Sequence, residues 1–522
     1  MHRLVIALVA LVGFAGAAFV AGYLLLFSAS TDRAASLAPG ETAFYVNVYL
    51  QPSTGQQMNL GGLIGRLPGF ADEASLDEKV DQVVQNVLDG TGLDVDYRER
   101  IKPWLGHQIA VAGWPIEGDV AEPAAVIIAE VKDREAAGDA LGQIAADGGL
   151  TFAAESYQNV DIQVADGTAY AFVGEMLVLG ESSDVIRAAV DVDGGDPALA
   201  GRADFRDTMD GLPADHLASM FMDLAAVAEA TDTADQLSAM STAGAALVAE
   251  RDGLRLSGSA PFDVDGAAAS SRAGFGLGGE PSSLVDWMPD GTVAELVVFG
   301  LRQVLEDAEA AAAAAPEGEE ITSALDTVRA LAAFGLGIDI DADLLPLLDR
   351  EVGIAFGGLA GAVPSGQLLL RPEDPDAAEA ALGRIVESLV ASGATQRTEA
   401  GANAEITVLS IPGTAEVAYA FADGIIIIGL GVEDVTAALQ AHADGQALAG
   451  NDQYVRTFEV AGARAGNEAF VDIGAIVDLA GGAVALPDDA RDILGQLGSF
   501  GFTAPSRDDR IEFHAVLTVD EP

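Results

Sequence analysis

Two side chains that often take part in binding lie close together in the stretch RERIKPWLGHQIAVAG, residues 98–113: Trp104 and His107. An indole ring offers a flat apolar face with one N–H donor, and an imidazole titrates near neutral pH. A hydrolase or small-ligand carrier would use both groups, so they are our candidate ligand-binding residues. The alternative is structural: Pro103 ends a short helix, and Trp104 caps a core as the chain enters a strand.

A formal dinucleotide-binding pattern, G-x-G-x-x-G, occurs at residues 274–279. Such a site needs a strand before the glycines and a helix after them, within one βαβ unit. Here a polar segment rich in Gly, Ala and Ser precedes the pattern, and Pro281 follows it. We therefore predict a linker rather than a nucleotide site.

The acidic stretch DIDADLLPLLDRE, residues 339–351, begins like a calcium-binding loop. Its sixth position is Leu344 instead of the glycine that the turn requires, and its twelfth is Arg350 instead of a bidentate glutamate. A solvated carboxylate cluster is the better interpretation. The five histidines are scattered without metal-ligand spacing, and neither a G-x-S-x-G elbow nor a P-loop occurs. The sequence predicts no metal, no cofactor and no catalytic residue.

The chain is strongly acidic, with 81 Asp and Glu against 26 Lys and Arg and a net charge of −55 over 522 residues. A surface of this sign repels phosphate backbones, so nucleic acid is not an expected partner. Cations or a protein partner at the acidic surface remain compatible with it. Adaptation to high salt and codon bias both account for the acidity, and the oligomeric state is left open.

The N-terminal residues 1–30 form a separate segment. Residues 4–27 contain 24 consecutive uncharged, mostly apolar residues, about 36 Å as a helix, which would span a hydrocarbon core of about 30 Å. We predict a transmembrane helix in a single-pass cell membrane protein, with Arg3 placing the N-terminus in the cytoplasm and the body outside. The alternative is secretion after signal cleavage near residues 28–30. The absence of cysteine excludes disulfides and thiol chemistry.

An internal duplication is the strongest pattern in the chain. GTAYAFVGEMLVLG (167–180) resembles EVAYAFADGIIIIGL (416–430), with Tyr170 and Tyr419 separated by 249 residues. Two further pairs of segments repeat at the same separation. We predict two repeats, residues 36–262 and 287–520, joined by a linker at 263–286 that is rich in Gly, Ala and Ser.

Each repeat shows the same coarse order of elements. The segments expected in the first repeat are strands at 42–50, 108–113, 124–131, 217–223 and 254–262, and helices at 75–88 and 133–146. Hairpin turns are predicted at Gly174-Glu175 and Asp423-Gly424. The predicted fold class is α+β: an N-terminal transmembrane helix followed by two duplicated domains, each a largely antiparallel sheet with packed helices.

The duplication helps to interpret the corner at residues 98–107, which contains Trp104 and His107. In the second repeat, the positions of Trp104 and His107 are occupied by Leu347 and Arg350, while the proline is kept as Pro346. Neither the indole nor the imidazole is therefore required by the shared fold. We favour the structural interpretation of this corner.

Three short patterns resemble a known family. LAPGETAFYVNVYLQPSTGQQ (37–57), LPGF (67–70) and YRERIKPWLGHQIAVA (97–112) together resemble a bacterial extracytoplasmic family, domain of unknown function 3352 (DUF3352). The resemblance implies a membrane anchor and an exported body, and no activity.

Two functions are compatible with the sequence. The leading hypothesis is a membrane-anchored extracytoplasmic protein that acts as a non-catalytic binding or scaffolding module. The alternative is a hydrolase or small-ligand carrier with a site between the two repeats, near Trp104.

Overall fold

The computed structural model describes residues 32–66, 81, 85, 95–116, 119–165, 167–231, 240–265, 275–314, 318–360, 363–413, 416–481, 494–507 and 509–521. The chain divides into two compact units. The first contains residues 1–266 with 521–522, and the second contains residues 267–520. Within the described ranges there are 21 strands, and their neighbours in each unit are antiparallel.

The first unit contributes ten described strands and six helices. The strands are β1 (Phe44–Tyr49), β2 (Leu105–Ile116), β3 (Asp119–Val131), β4 (Ala153–Tyr157), β5 (Val160–Ala165), β6 (Thr168–Val173), β7 (Met176–Gly180), β8 (Ala218–Asp223), β9 (Thr242–Glu250) and β10 (Gly253–Pro261). The helices are α1 (Thr54–Arg66), α2 (Tyr97–Arg100), α3 (Arg134–Asp147), α4 (Ser183–Asp193), α5 (Ala203–Asp210) and α6 (Leu224–Thr231).

The second unit contributes eleven described strands and a further six helices. The strands are β11 (Ala294–Phe299), β12 (Glu351–Ala360), β13 (Val363–Arg371), β14 (Thr395–Ala400), β15 (Glu405–Ser410), β16 (Glu416–Ala422), β17 (Ile425–Gly429), β18 (Asn467–Asp472), β19 (Leu497–Ala504), β20 (Ser506–Arg507) and β21 (Arg510–Val519). The helices are α7 (Leu301–Ala314), α8 (Gly318–Leu331), α9 (Pro375–Ala391), α10 (Val432–Asp444), α11 (Asp452–Ala461) and α12 (Ile473–Gly481).

Strand pairing follows the same order in both units. In the first unit the antiparallel order is β4-β5-β6-β7-β3-β2-β1-β8-β9-β10. In the second it is β14-β15-β16-β17-β13-β12-β11-β18-β19-β21. The first strand of each unit is therefore paired on both sides. The domain ranges 36–262, 263–286 and 287–520 stay predictions.

The predicted fold class is wrong in its first element. Antiparallel strands with packed helices occur in each unit, but the N-terminal transmembrane helix is not supported. The expected transmembrane helix at 4–27 lies outside the described residues, and no helix within them is long and apolar enough to cross a membrane. The single-pass placement in the cell membrane is therefore not supported.

Several local predictions are confirmed. The helix expected at 133–146 is α3, and the turns at Gly174-Glu175 and Asp423-Gly424 connect β6 to β7 and β16 to β17. The helix expected at 75–88 lies almost entirely outside the described residues.

Each unit has its own hydrophobic core under helices. In the first unit, Phe221 packs edge-on against Phe205, with ring centroids 5.1 Å apart. In the second unit, the rings of Phe470 and Tyr454 lie 5.3 Å apart. The all-apolar run of β17 is buried as expected, because it is covered on both faces.

Two phenylalanines on neighbouring strands of the second unit allow a matched test of this packing. Phe470 on β18 is 1% exposed and Phe500 on β19 is 39% exposed. We expect Phe470→Ala to lower the free energy of unfolding by about 3–5 kcal/mol, because it leaves a cavity. Phe500→Ala should cost much less. Denaturant titration measures both, and similar losses would contradict the assigned burial.

Candidate functional site

The corner before β2 is built from a capped turn of helix and a buried indole. Asp96 accepts a hydrogen bond from the Glu99 N–H and so caps α2. Trp104 is 6% exposed, and its Nε1 donates to the Arg100 carbonyl at 2.6 Å. The burial of Trp104 agrees with the structural interpretation of this corner. A ligand-binding role for Trp104 and His107 stays a prediction.

His107 lies at the surface in a network of charged side chains. Its backbone N–H donates to Glu130 Oε2 at 2.9 Å, and its Nδ1 lies 3.2 Å from the same oxygen. Arg33 pairs with Glu130 at 3.0 Å and with Glu175 at 2.6 Å. Arg33, Glu130 and Glu175 are therefore paired with one another within the first unit.

The second unit has an equivalent corner with different side chains. The Leu50 N–H donates to the His107 carbonyl at 2.7 Å, and the Gly300 N–H donates to the Arg350 carbonyl at 2.7 Å. Arg350 therefore occupies the place of His107. Gly300 has φ +63°, in the left-handed region that favours glycine. The chain turns there from β11 directly into α7.

A cleft of about 570 Å³ opens at this second corner. Its lining comes from four segments: residues 276–277, the start of α7, the residues just before β12 and a residue just after β13. The lining residues are Gly276, Leu277, Gly300, Arg302, Gln303, Glu306, Asp349, Arg350 and Glu373. The cleft thus combines two guanidinium groups with three carboxylates.

The charged groups of the cleft are held by defined contacts. Arg302 Nε donates to Glu306 Oε1 at 2.8 Å, and this hydrogen bond is the main reason that the pKa of Arg302 is raised. Arg350 Nη2 lies 2.9 Å from Glu280 Oε2, while its Nε is buried without a hydrogen-bond partner among the described residues. Asp349 Oδ1 accepts the Glu373 N–H at 2.8 Å.

The sequence alone does not predict this cleft. Its residues come from four separate segments and form no motif, so spacing along the chain could not bring them together. The one signal in the sequence is the alignment of Asp349 and Arg350 with Gly106 and His107 in the duplication.

A second polar cluster is buried in the core of the same unit. Glu295 and Glu468 are 3% and 0% exposed, on the adjacent strands β11 and β18. Tyr454 donates to Glu468 Oε1 at 2.9 Å, and Arg464 Nε approaches Glu468 Oε2 at 3.3 Å. Both oxygens of Glu295 are buried without a side-chain hydrogen-bond partner among the described residues.

Burial controls the protonation of this pair. Desolvation raises the pKa of Glu295 well above its ordinary value, and the neighbouring charge of Glu468 raises it further. Desolvation also raises the pKa of Glu468, although Arg464 and Tyr454 oppose the shift. Glu295 is therefore the group that holds a proton more readily.

The acidic stretch at 339–351 is a structural turn. Asp339 accepts hydrogen bonds from the N–H groups of Asp341 and Ala342, and Asp343 pairs with Arg384 at 2.7 Å. In the part of the chain that the structure describes, no group of three or more His, Cys, Asp or Glu side chains is arranged to hold a metal ion.

Comparison with known proteins identifies a family and little else. A family described as "Protein of unknown function (DUF3352)" matches residues 4–518. No curated protein matches the chain. Crystal forms I and III of TP0453 are similar at 13% and 11% identity, covering 46% and 49% of this chain and 82% and 90% of theirs. Their TM-scores of 0.25 support no conclusion about fold or function.

The first corner can be tested with two substitutions. Trp104→Phe removes the donor to the Arg100 carbonyl, so we expect a loss of about 1–3 kcal/mol in the free energy of unfolding. His107→Ala, at a half-exposed side chain, should change it by no more than about 0.5 kcal/mol. Chemical denaturation measures both. Equal stability of Trp104→Phe and wild type would show that the indole hydrogen bond is not structural.

Because the carboxyl of Glu295 is buried, we expect the stability of the protein to depend on pH. A carboxyl whose pKa is raised by folding stabilises the folded state below its unfolded pKa of about 4.3. That contribution is lost as the pH rises towards the folded pKa, at about 1.4 kcal/mol per pH unit. Glu295→Gln should therefore match wild type near pH 4 and be more stable at pH 7.

Unfolding free energies measured from pH 4 to pH 8 test this expectation. Glu405→Gln, at an exposed position on β15, is the matched control and should follow the wild-type profile. If the Glu295→Gln and wild-type profiles run parallel, Glu295 is not the group responsible.

Proposed function

The chain belongs to the DUF3352 family of proteins of unknown function, and from that premise we propose that it is a non-catalytic binding module whose ligand site is the cleft at the second corner. The proposal rests on one observation: Arg302, Arg350 and three carboxylates line an open volume of about 570 Å³. Ligand pockets typically have volumes of about 300–1,000 Å³.

The chemistry of the lining suits the binding of a charged molecule. Its polar side chains are two guanidinium groups, three carboxylates and one amide. Each guanidinium already faces a carboxylate, so both are oriented before any ligand arrives. Pre-oriented ion-pairing groups reduce the entropy lost on binding.

Other partners stay predictions. A protein or cations at the acidic surface would suit the net charge of −55, and the same charge disfavours nucleic acid. The cleft differs from the rest of this surface because it presents two of the chain's few basic side chains together.

A thermal-shift screen of the full chain against small charged molecules tests the proposal. Binding at a concentration about 100 times Kd adds about 2.7 kcal/mol to stability, so a ligand should raise the melting temperature measurably. The effect should vanish when Arg302→Gln and Arg350→Gln are combined.

Arg397→Gln is the matched control, since Arg397 also pairs with a carboxylate, Glu416, in the second unit but lies away from the cleft lining. The Arg397→Gln variant should still be stabilised by every ligand found in the screen. A screen without hits, or hits that survive the double substitution, would overturn the proposed function.

A further inference from the structure

The cleft carries side chains of both signs. Arg302 and Glu306 lie on α7, while Asp349 and Glu373 are joined at the ends of β12 and β13 through the Asp349 side chain and the Glu373 N–H. Glu306 is engaged by Arg302 at 2.8 Å. Asp349 and Glu373 therefore form the acidic side of the cleft.

The basic side consists of Arg302 at the start of α7 and Arg350 at the entry to β12. The first turn of α7 contains no acidic side chain, so its N-terminal dipole reinforces the two guanidinium groups instead of opposing them. The buried Arg350 Nε has no hydrogen-bond partner among the described residues. Guanidinium groups recognise carboxylates with particular geometric fit.

Long-range electrostatics restrict which ligand could reach this basic side. A protein with a net charge of −55 repels a free anion as it approaches. A free cation would be attracted to any part of the surface and would gain little from entering a cleft that contains two arginines. A molecule with one positive and one negative group has no net charge. It is therefore not repelled as an anion is, and it can use both kinds of side chain in the cleft.

We propose that the cleft binds a small zwitterion, with its carboxylate at Arg302 and Arg350 and its ammonium group at Asp349 and Glu373. This inference rests on the proposed function and gives it a ligand class. The chemistry is that of an amino acid or a similar ω-amino acid.

Isothermal titration calorimetry on the full chain tests the ligand class with matched probes. Glycine, β-alanine and γ-aminobutyrate carry both charges at increasing separation, whereas butyrate and butylamine carry one each. At least one zwitterion should bind at least tenfold more tightly than both single-charge probes. Arg350→Gln and Glu373→Gln should each weaken that binding at least tenfold, and Arg397→Gln should not change it.

The outcomes separate this inference from the proposed function. If butyrate or butylamine binds as tightly as every zwitterion, or if no zwitterion binds while a screening hit still depends on Arg302 and Arg350, the ligand class is wrong and the cleft remains a binding site. If nothing binds the cleft in either experiment, both proposals fail.

Discussion

The first strand of each unit is hydrogen-bonded on both sides, and the rest of the unit depends on that constraint. β1 lies between β2 and β8, and β11 lies between β12 and β18. A shift of one residue in either register would exchange the buried and exposed faces of the strand. The same pairing determines where the chain leaves the sheet, because the Leu50 and Gly300 N–H groups donate to the His107 and Arg350 carbonyls. The register therefore sets both the core and the corner.

Within this shared framework the two units have diverged in their buried chemistry. Tyr45 in β1 donates to Asp32 at 2.7 Å, so the first unit buries a phenol there. The equivalent position in β11 is Glu295, and the second unit buries a carboxyl beside Glu468. A phenol is neutral at physiological pH, whereas a buried carboxyl must either hold a proton or bear the cost of an unsolvated charge. Both units therefore have a carboxyl whose pKa is raised by burial here: Glu295 itself in the second unit, and Asp32, the partner of Tyr45, in the first.

Local patterns were enough to predict many elements, because they depend on neighbouring residues. Asp423-Gly424 predicts its hairpin through backbone preferences at two adjacent positions. The long-range features were harder. The membrane placement rested on residues 4–27 alone. The cleft at Arg350 depends on four segments that only tertiary structure brings together, so no periodicity could indicate it.

Gly300 is a single residue that distinguishes the second corner from the first. Its left-handed backbone turns the chain straight into α7, and a β-carbon at this position would lie 3.2 Å from Leu277 Cδ1. At the matching place the first unit has Leu50, followed by Gln51, Pro52 and Ser53 before its own helix begins. The strand order is the same in both units, so the difference between these two turns changes the corner and leaves the sheet as it is. A local substitution at the end of one strand can thus alter the surface of one half without disturbing the framework that both halves share.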